Sequence, residues 1–254
     1  TSFVHGWASG KAAEDPLAQA AVAQKKAQLA LTVTVTKRGK IKISGTLRQK
    51  KHPLIFLIFK NNQAGEKQDI VWLHQVMLLL RKKYNLKNYN AVGHSMGAYV
   101  LVAYNALYGN QPKLPKLHKL VLIAGPFNGI LDLNKSTQPQ TGKLASLWDD
   151  HYHENSLNKS GAPKIIHVEY RFLLKHRSKF PRQAEVLNIY GNLENGTDSD
   201  GTVSTVSVRS LRYLLKSQVA SYQETEVTGK AAQHSRLPRS NQQVSRKVRH
   251  FLWK

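Results

Sequence analysis

The feature that most constrains this chain is a short turn with a serine at its centre, GHSMG at residues 93–97. A strand-like run at 88–92 leads into the turn, and a helix-compatible run at 98–104 leads out of it. This context is typical of a nucleophile elbow, in which glycines two residues before and after the serine allow a very tight turn. Such a turn strains the serine backbone and projects its hydroxyl above the sheet. The sequence therefore predicts that Ser95 is a nucleophile.

A serine nucleophile needs a base and an acid, and the chain offers both on loops that follow predicted strands. An imidazole must take the serine proton, and a carboxylate must fix the tautomer of that imidazole. Of the eleven histidines, His234 alone lies on the loop between the last predicted strand and the last predicted helix. We interpret it as the base. The preceding strand runs into an acidic loop at 192–203, which we expect to supply the carboxylate.

Two carboxylates of that loop compete for the role of the acid. Glu194 lies three residues after Gly191, a spacing used by many enzymes with this elbow, whereas Asp200 lies in the sequence SDGTV at 199–203. We favour Asp200 because a short side chain followed by glycine suits a tight turn beneath the histidine. A helix beginning near Ser204 would also fix its position. The predicted triad is Ser95, Asp200 and His234, and Glu194 could replace or support Asp200.

The first predicted strand ends in the sequence HGW at residues 5–7, which completes the predicted site. An oxyanion hole needs one backbone N–H from the loop after the first catalytic strand and one from the residue that follows the nucleophile. These donors would be the amides of Trp7 and Met96. We expect His5 and His94, which flank the site, to orient the backbone and fill space rather than transfer protons.

Strands alternating with helices predict the fold class. A continuous apolar run at 54–59 is typical of a parallel strand covered on both faces, and the alternating runs at 31–35 and 40–44 predict a β-hairpin. Apolar residues from Ile70 to Tyr84 recur at helical spacing. The other predicted elements are strands at 2–4, 120–124, 185–190 and 222–228 and helices at 12–29, 204–217 and 242–253. We expect one three-layer α/β domain over residues 1–254, with a mainly parallel sheet and helices on both faces.

Regular patterning fades between residues 128 and 181. We interpret this segment as a lid-like insertion that covers the active site. Its aromatic residues could line a pocket or form a small core of the insertion, and the sequence leaves both interpretations open. These residues are Trp148, Tyr152, Tyr170 and Phe172.

The chain carries a formal net charge of +23, which implies attraction to a polyanion or to an anionic surface. An anionic wall polymer and the anionic face of a membrane are the partners we expect. Nucleic acid is disfavoured because no binding motif accompanies the charge. The basic clusters are spread along the chain, which favours a solvated basic surface over one dedicated groove. They lie at 37–38, 48–51, 81–83 and 246–249.

The sequence predicts no cofactor and no metal. There is no cysteine, which excludes disulfides and thiolate sites. The run HYHE at 151–154 lacks a third ligand at recognisable spacing, and DSDG at 198–201 is only a fragment of a calcium loop. No stretch is long and apolar enough to span a membrane. The chain begins at Thr1, and we expect that an upstream secretion signal or tether has been removed.

Six segments carry a resemblance to a known family: FVHGW at 3–7, VGHSMG at 92–97, AGPFNG at 124–129, LNIYG at 187–191, SDGTV at 199–203 and QHS at 233–235. With them the chain resembles the cell-surface hydrolases of lactic-acid bacteria and related Gram-positive bacteria, a branch of the α/β-hydrolase superfamily. The resemblance implies the α/β-hydrolase fold, the triad Ser95, Asp200 and His234, and an extracytoplasmic location at the cell envelope. Asn192 departs from it, since an acidic residue would be expected there.

The sequence favours a serine hydrolase of the carboxylesterase or lipase type. It would cleave carboxylic esters through an acyl-enzyme on Ser95, which water activated by His234 would release. Lipases, peptidases, thioesterases and acyltransferases share this machinery, so the choice of a small-molecule ester rests on frequency. The alternative is a non-catalytic envelope protein that binds anionic wall polymer through its basic surface. An intact triad argues against that alternative, because drift would have removed one of its members.

Overall fold

The computed structural model describes residues 1–139 and 141–253. Within these residues, eight strands form one sheet. They are β1 (Ser2–Val4), β2 (Gln28–Val35), β3 (Ile41–Gly45), β4 (Pro53–Phe59), β5 (Asn88–His94), β6 (Lys116–Ile123), β7 (Glu185–Asn192) and β8 (Ser221–Thr228). The strand order is β3-β2-β4-β1-β5-β6-β7-β8. Only β3 runs antiparallel to its neighbour, in the predicted hairpin with β2.

Helices cover both faces of the sheet. Those in the described residues are α1 (Asp15–Ala23), α2 (Glu66–Tyr84), α3 (Met96–Tyr108), α4 (Val168–His176), α5 (Thr205–Arg209), α6 (Leu211–Leu215), α7 (Arg236–Arg239) and α8 (Gln242–Leu252). Short 3₁₀ helices lie at Lys11–Ala13, Ala145–Trp148, Arg177–Lys179 and Lys230–Ala232. None of the described helices is long and apolar enough to cross a bilayer.

The core lies in two layers because successive residues of a strand point to opposite faces. In β4, Ile55 and Leu57 pack into the cluster under α2 and α3. Leu54 and Phe56 pack into the other cluster, under α1 and α8. The predicted three-layer α/β fold is confirmed.

The predicted helix over 12–29 is wrong at both ends. Its first turn is a 3₁₀ helix, and α1 ends at Ala23. Lys25 then adopts a positive φ of 56°, which stops the helix. The chain next pairs with β4, with Gln28 opposite Pro53. Pairing with a central strand thus overrides the local preference of this Ala- and Gln-rich run for a helix.

The helix predicted over 204–217 is divided in two. Ser210 lies between α5 and α6, and its hydroxyl donates to the Ser207 carbonyl at 2.6 Å. A side-chain hydroxyl that donates a hydrogen bond to a backbone carbonyl of the preceding turn often bends a helix. The expectation of an irregular segment over 128–181 is also wrong in part, because α4 forms there. It is nine residues long, and its buried residues are Glu169, Tyr170 and Leu173, so that a charged residue interrupts the apolar face.

Candidate active site

The turn between β5 and α3 has the geometry of a nucleophile elbow. Ser95 adopts φ 54° and ψ −128°, a strained conformation for a residue with a side chain. Its amide donates to the Ile123 carbonyl at 2.9 Å, which fixes the elbow to β6. A Cβ at Gly97 would lie 2.2 Å from the Val4 carbonyl oxygen, so only glycine fits where α3 crosses β1.

The loop after β1 lies directly against the serine. A Cβ at Gly6 would be 2.8 Å from Ser95 Cβ, so glycine is required for this close approach. His5 holds the loop in place. The Phe59 amide donates to His5 Nε2 at 3.0 Å, which leaves Nδ1 to carry the proton and donate to the Gly6 carbonyl at 2.9 Å. Burial lowers the pKa of His5, so the ring is neutral and positions the loop.

The two predicted oxyanion-hole donors lie on either side of this approach. Trp7 follows Gly6, and Met96 follows Ser95 as the first residue of α3. Neither amide donates a hydrogen bond to any described protein group. Unpaired backbone N–H groups next to a strained serine are the arrangement that an oxyanion hole requires.

The loops after β7 and β8 bring Asp200 and His234 together. Asp200 Oδ2 lies 2.7 Å from His234 Nδ1, and the His234 amide donates to the Asp200 carbonyl at 2.9 Å. Asp200 Oδ1 accepts from the amides of Thr202 and Val203 at 2.9 and 2.8 Å. The carboxylate is 1% exposed. A buried carboxylate held by two amides fixes the histidine with its proton on Nδ1 and its lone pair on Nε2.

Glu194, the competing acid, lies apart from the histidine. Its side chain is exposed, and its amide donates to Asn192 Oδ1 at 3.0 Å. Asn192, where the family resemblance leads us to expect an acid, therefore shapes the turn. In the described part of the chain no ion pair or hydrogen bond joins Glu194 to a histidine. The geometry thus favours Asp200 over Glu194.

His234 contacts His94, the residue that precedes Ser95 in the elbow. The two rings are 4.7 Å apart, and His94 Nε2 donates to the His234 carbonyl at 3.1 Å. Among the described residues, no hydrogen bond joins Ser95 Oγ to His234. Catalytic hydrogen bonds are often loose before substrate binds and tighten in the reacting complex.

A buried acid behind His94 was not predicted. Glu14 is 1% exposed, and its Oε1 lies 3.9 Å from His94 Nδ1. Burial raises the pKa of Glu14 to about 8. Burial, together with the nearby His234, lowers the pKa of His94 well below its ordinary value. The pair is therefore largely neutral at pH 7, and it contacts the loop of His234 through the hydrogen bond from His94 to the His234 carbonyl. No sequence signal identified Glu14, because the contact joins distant segments.

The segment 128–181 contacts the site through one aromatic residue. Trp148 packs edge-on against Trp7, with ring centroids 5.0 Å apart. The other aromatic candidates lie elsewhere. Tyr170 is fully buried and donates to the Ser210 carbonyl, Phe172 packs against His176, and Tyr152 is exposed. Trp148 is thus the member of this set that lies beside the predicted oxyanion hole.

A group of buried carboxyls, also unpredicted, lies where α2, α3 and α4 meet. Burial and the neighbouring Glu66 raise the pKa of Asp69 to about 8. Burial is also the main cause that raises the pKa of Glu169 to about 7. The backbone carbonyl of Glu169 accepts from the Tyr99 hydroxyl at 3.1 Å. Asp69 is therefore largely protonated at pH 7, and Glu169 is about half protonated there.

Comparison with known proteins gives the family. The family described as α/β hydrolase of unknown function (DUF915) matches residues 1–254. The chain belongs to this α/β-hydrolase family. The family predicted from the sequence is thereby confirmed. No curated protein matches the chain.

Three solved structures place this hydrolase among its relatives. The product of the gene lin2722 from Listeria innocua is 28% identical, with a TM-score of 0.83 over 100% of this chain and 93% of that one. A protein named as a cell surface hydrolase from Lactobacillus plantarum is 24% identical, with a TM-score of 0.68 over 97% of this chain and 86% of that one. An esterase from Pyrococcus furiosus is 14% identical, with a TM-score of 0.52 over 99% of this chain and 80% of that one. The last two show the shared fold.

Two runs of the chain resemble fragments of metal-binding motifs, HYHE at 151–154 and DSDG at 198–201. Within the described residues, no group of three or more His, Cys, Asp or Glu side chains could hold an ion. His153 and Asp198 approach each other at 4.0 Å, but both are well exposed. Asp200 is occupied by His234 and two amides.

Proposed function

We propose that this α/β hydrolase is a serine hydrolase that cleaves carboxylic esters, with Ser95 as nucleophile, His234 as general base and Asp200 as the acid. The family and the fold support hydrolase activity. The observation that carries the finer proposal is the 2.7 Å contact between Asp200 and His234, whose ring lies 4.7 Å from the ring of His94, the neighbour of the strained Ser95. A buried carboxylate that fixes one imidazole tautomer beside such a serine matches the needs of nucleophilic catalysis.

The proposed reaction has two halves. Ser95 Oγ attacks the ester carbonyl while His234 Nε2 takes its proton, and the amides of Trp7 and Met96 stabilise the oxyanion. The tetrahedral intermediate expels the alcohol, which receives the proton from His234. Water then attacks the acyl-enzyme, again losing its proton to His234, and the carboxylic acid leaves as Ser95 regains its proton. Asp200 stays ionised throughout and stabilises the imidazolium.

We also propose that residues 128–181 form a cap that limits the acyl pocket within this single domain. The packing of Trp148 against Trp7 supports this proposal, because it places a cap residue over the predicted oxyanion loop. Hydrogen bonds also attach the segment to the body; among them, Ser204 Oγ donates to Asp150 Oδ2 at 2.6 Å, and the Asn128 amide donates to Ser207 Oγ at 3.0 Å.

We place this hydrolase outside the cytoplasm, at the cell envelope, with an anionic wall polymer or membrane face as its partner. The name of the Lactobacillus plantarum structure, a cell surface hydrolase, supports this location. The net charge of +23 supports attraction to an anionic surface. The same charge favours the second candidate function, a non-catalytic envelope protein.

Hydrolysis of a panel of p-nitrophenyl esters with increasing acyl length tests the proposal. Ser95→Ala should lower kcat by about a thousandfold or more, because only the oxyanion hole and binding remain. Ser44→Ala, on the exposed face of β3, is the matched control and should retain full activity. Near-normal turnover by Ser95→Ala would refute the proposal. Absence of turnover across the whole panel, in a folded wild-type protein, would favour the non-catalytic alternative.

A further inference from the structure

A cavity of about 750 Å³ lies apart from the predicted active site, between the loop at 157–161 and the segment formed by α5 and α6. None of its lining residues belongs to the elbow, the oxyanion loop or the loops that carry Asp200 and His234. Its lining holds five cationic side chains and one carboxylate, which leaves four positive charges unmatched. The charged lining residues are Lys159, Arg177, Arg209, Arg212, Lys216 and Glu224.

This concentration of charge arises from folding and not from any basic cluster of the sequence. The five cations come from three separate parts of the chain, and none belongs to the clusters at 37–38, 48–51, 81–83 or 246–249. The sequence pattern indicated a diffuse basic surface because it could not show which distant residues meet. The cavity is therefore a local feature within that surface.

Contacts with the protein hold the arginines of the cavity in place. Arg177 lies over the Tyr213 ring at 4.7 Å and donates to the Tyr213 carbonyl at 3.1 Å. Arg209 lies over the Tyr190 ring at 5.8 Å. Arg212 pairs with Glu224 at 3.5 Å. Guanidinium groups that are already ordered lose less conformational entropy when they bind an anion.

The opposite wall of the cavity is a tight turn. Asn158 Oδ1 accepts from the amides of Ser160 and Ala162 at 2.9 and 3.1 Å. Gly161 has φ 88°, which favours glycine at this position. The turn thus presents Lys159 from a fixed backbone facing the arginine wall.

Three of the cations form a row. Arg209 ends α5, Arg212 lies in α6 and Lys216 follows α6, so the three cations recur at steps of three and four residues along one wall of the cavity. Cations that follow one another along a wall suit an anion whose charges repeat along a strand. Guanidinium also binds phosphate oxygens through two parallel hydrogen bonds.

We propose that this cavity binds consecutive phosphate groups of a polymer with a phosphodiester backbone. The cations lie in a recess and not on a flat face, which fits a strand better than a membrane surface. Stacking with nucleic-acid bases is disfavoured because Tyr213 is the one aromatic residue of the lining, and Arg177 already covers one face of its ring. The site is independent of Ser95 and of ester hydrolysis.

Binding of a synthetic poly(glycerol phosphate) oligomer, measured by titration calorimetry, tests the proposal. The cavity variant combines Arg209→Gln, Arg212→Gln and Lys216→Gln. The matched control combines Arg48→Gln, Lys50→Gln and Lys51→Gln, which removes the same charge from the exposed loop beside β3 at the opposite edge of the sheet. The cavity variant should raise Kd by about tenfold or more, and the control by about twofold or less. Equal losses in both variants would overturn the proposal.

Further arms keep the result decisive. If the triple variant fails to fold, the double variant Lys159→Gln and Lys216→Gln replaces it, because it leaves the pair of Arg212 and Glu224 intact. This double variant should raise the Kd for the oligomer by about threefold. Inorganic phosphate should bind more weakly than the oligomer. Equal affinity would refute the proposal that the cavity binds several consecutive phosphate groups of a polymer. Vesicles of phosphatidylglycerol should bind both charge variants equally. Selective loss of vesicle binding by the cavity variant, with no loss for the oligomer, would assign the cavity to a membrane and refute the polymer.

Discussion

Replacing Asp200 by asparagine changes one atom of the side chain and reverses the hydrogen bonding of His234. Asp200 Oδ1 accepts from two amides, so in the variant only the amide oxygen can occupy that position. The NH₂ group then takes the place of Oδ2, 2.7 Å from His234 Nδ1. Two donors cannot share this contact, so Nδ1 must become the acceptor and the proton moves to Nε2. Nε2 can then no longer take the proton of Ser95.

A triad histidine held in the wrong tautomer lowers kcat by about 10⁴, or about 5.4 kcal/mol in the activation barrier. We expect this loss for Asp200→Asn, measured as kcat on the best ester of the panel. Glu194→Gln is the matched control, since it also neutralises one carboxylate of the same loop, and it should retain at least about a tenth of the activity. Thermal unfolding should be nearly unchanged in both variants, because asparagine keeps the two amide contacts.

The opposite ranking would assign the acid to Glu194 and refute the tautomer argument. A large loss in both variants would show that the two carboxylates support each other. Recovery of Asp200→Asn activity at high pH would indicate that the proton on Nε2, and not the position of the ring, limits the reaction.

Three further predictions concern the loop, the buried acids and the histidine pair. Gly6→Ala places a methyl group 2.8 Å from Ser95 Cβ, so kcat should fall roughly a hundredfold through the displaced oxyanion hole; unchanged kinetics would contradict the assigned contact. Burial raises the pKa of Asp69 to about 8 from its ordinary 3.8. The free energy of unfolding of the wild-type protein should therefore fall as pH rises between these two values, because the unfolded chain loses the Asp69 proton first. In urea unfolding, Asp69→Asn should therefore gain relative to wild type between pH 5 and pH 8, whereas a pH-independent difference would count against the raised pKa. His94→Phe loses the bond to His234 and should lower the free energy of unfolding by about 1–3 kcal/mol, and an unchanged urea midpoint would argue against it.

The parts of the fold that the sequence predicted are those encoded locally. A strand that is covered on both faces, such as β4, is predicted by a continuous apolar run. The elbow is predicted by glycines at fixed spacing around Ser95. The run over 12–29 was misjudged because strand pairing with β4 overrode its helix preference. The short helix α4 was missed because one of its three buried residues is the charged Glu169, which sequence patterning treats as exposed.

The candidate site follows a similar division. Asp200 and His234 could be placed because each lies on a loop after a strand, and parallel strands carry those loops to the same edge. The choice of Asp200 rather than Glu194 as the acid depended on the turn that a short side chain followed by glycine favours. The hydrogen bonds that Asp200 accepts in the folded loop support this choice. Glu14 could not have been found, because it meets His94 only after α1 packs across the sheet.

Intact mass spectrometry after reaction with a fluorophosphonate probe tests the central claim most directly, since the probe phosphonylates a serine that its histidine has activated. The wild-type protein should gain one adduct, located on Ser95 by peptide mapping, and Ser95→Ala should gain none. His234→Ala should slow labelling strongly, because the hydroxyl then lacks its base. A wild-type protein that stays unlabelled, or an adduct that persists in Ser95→Ala, would contradict the assignment of Ser95 as the nucleophile.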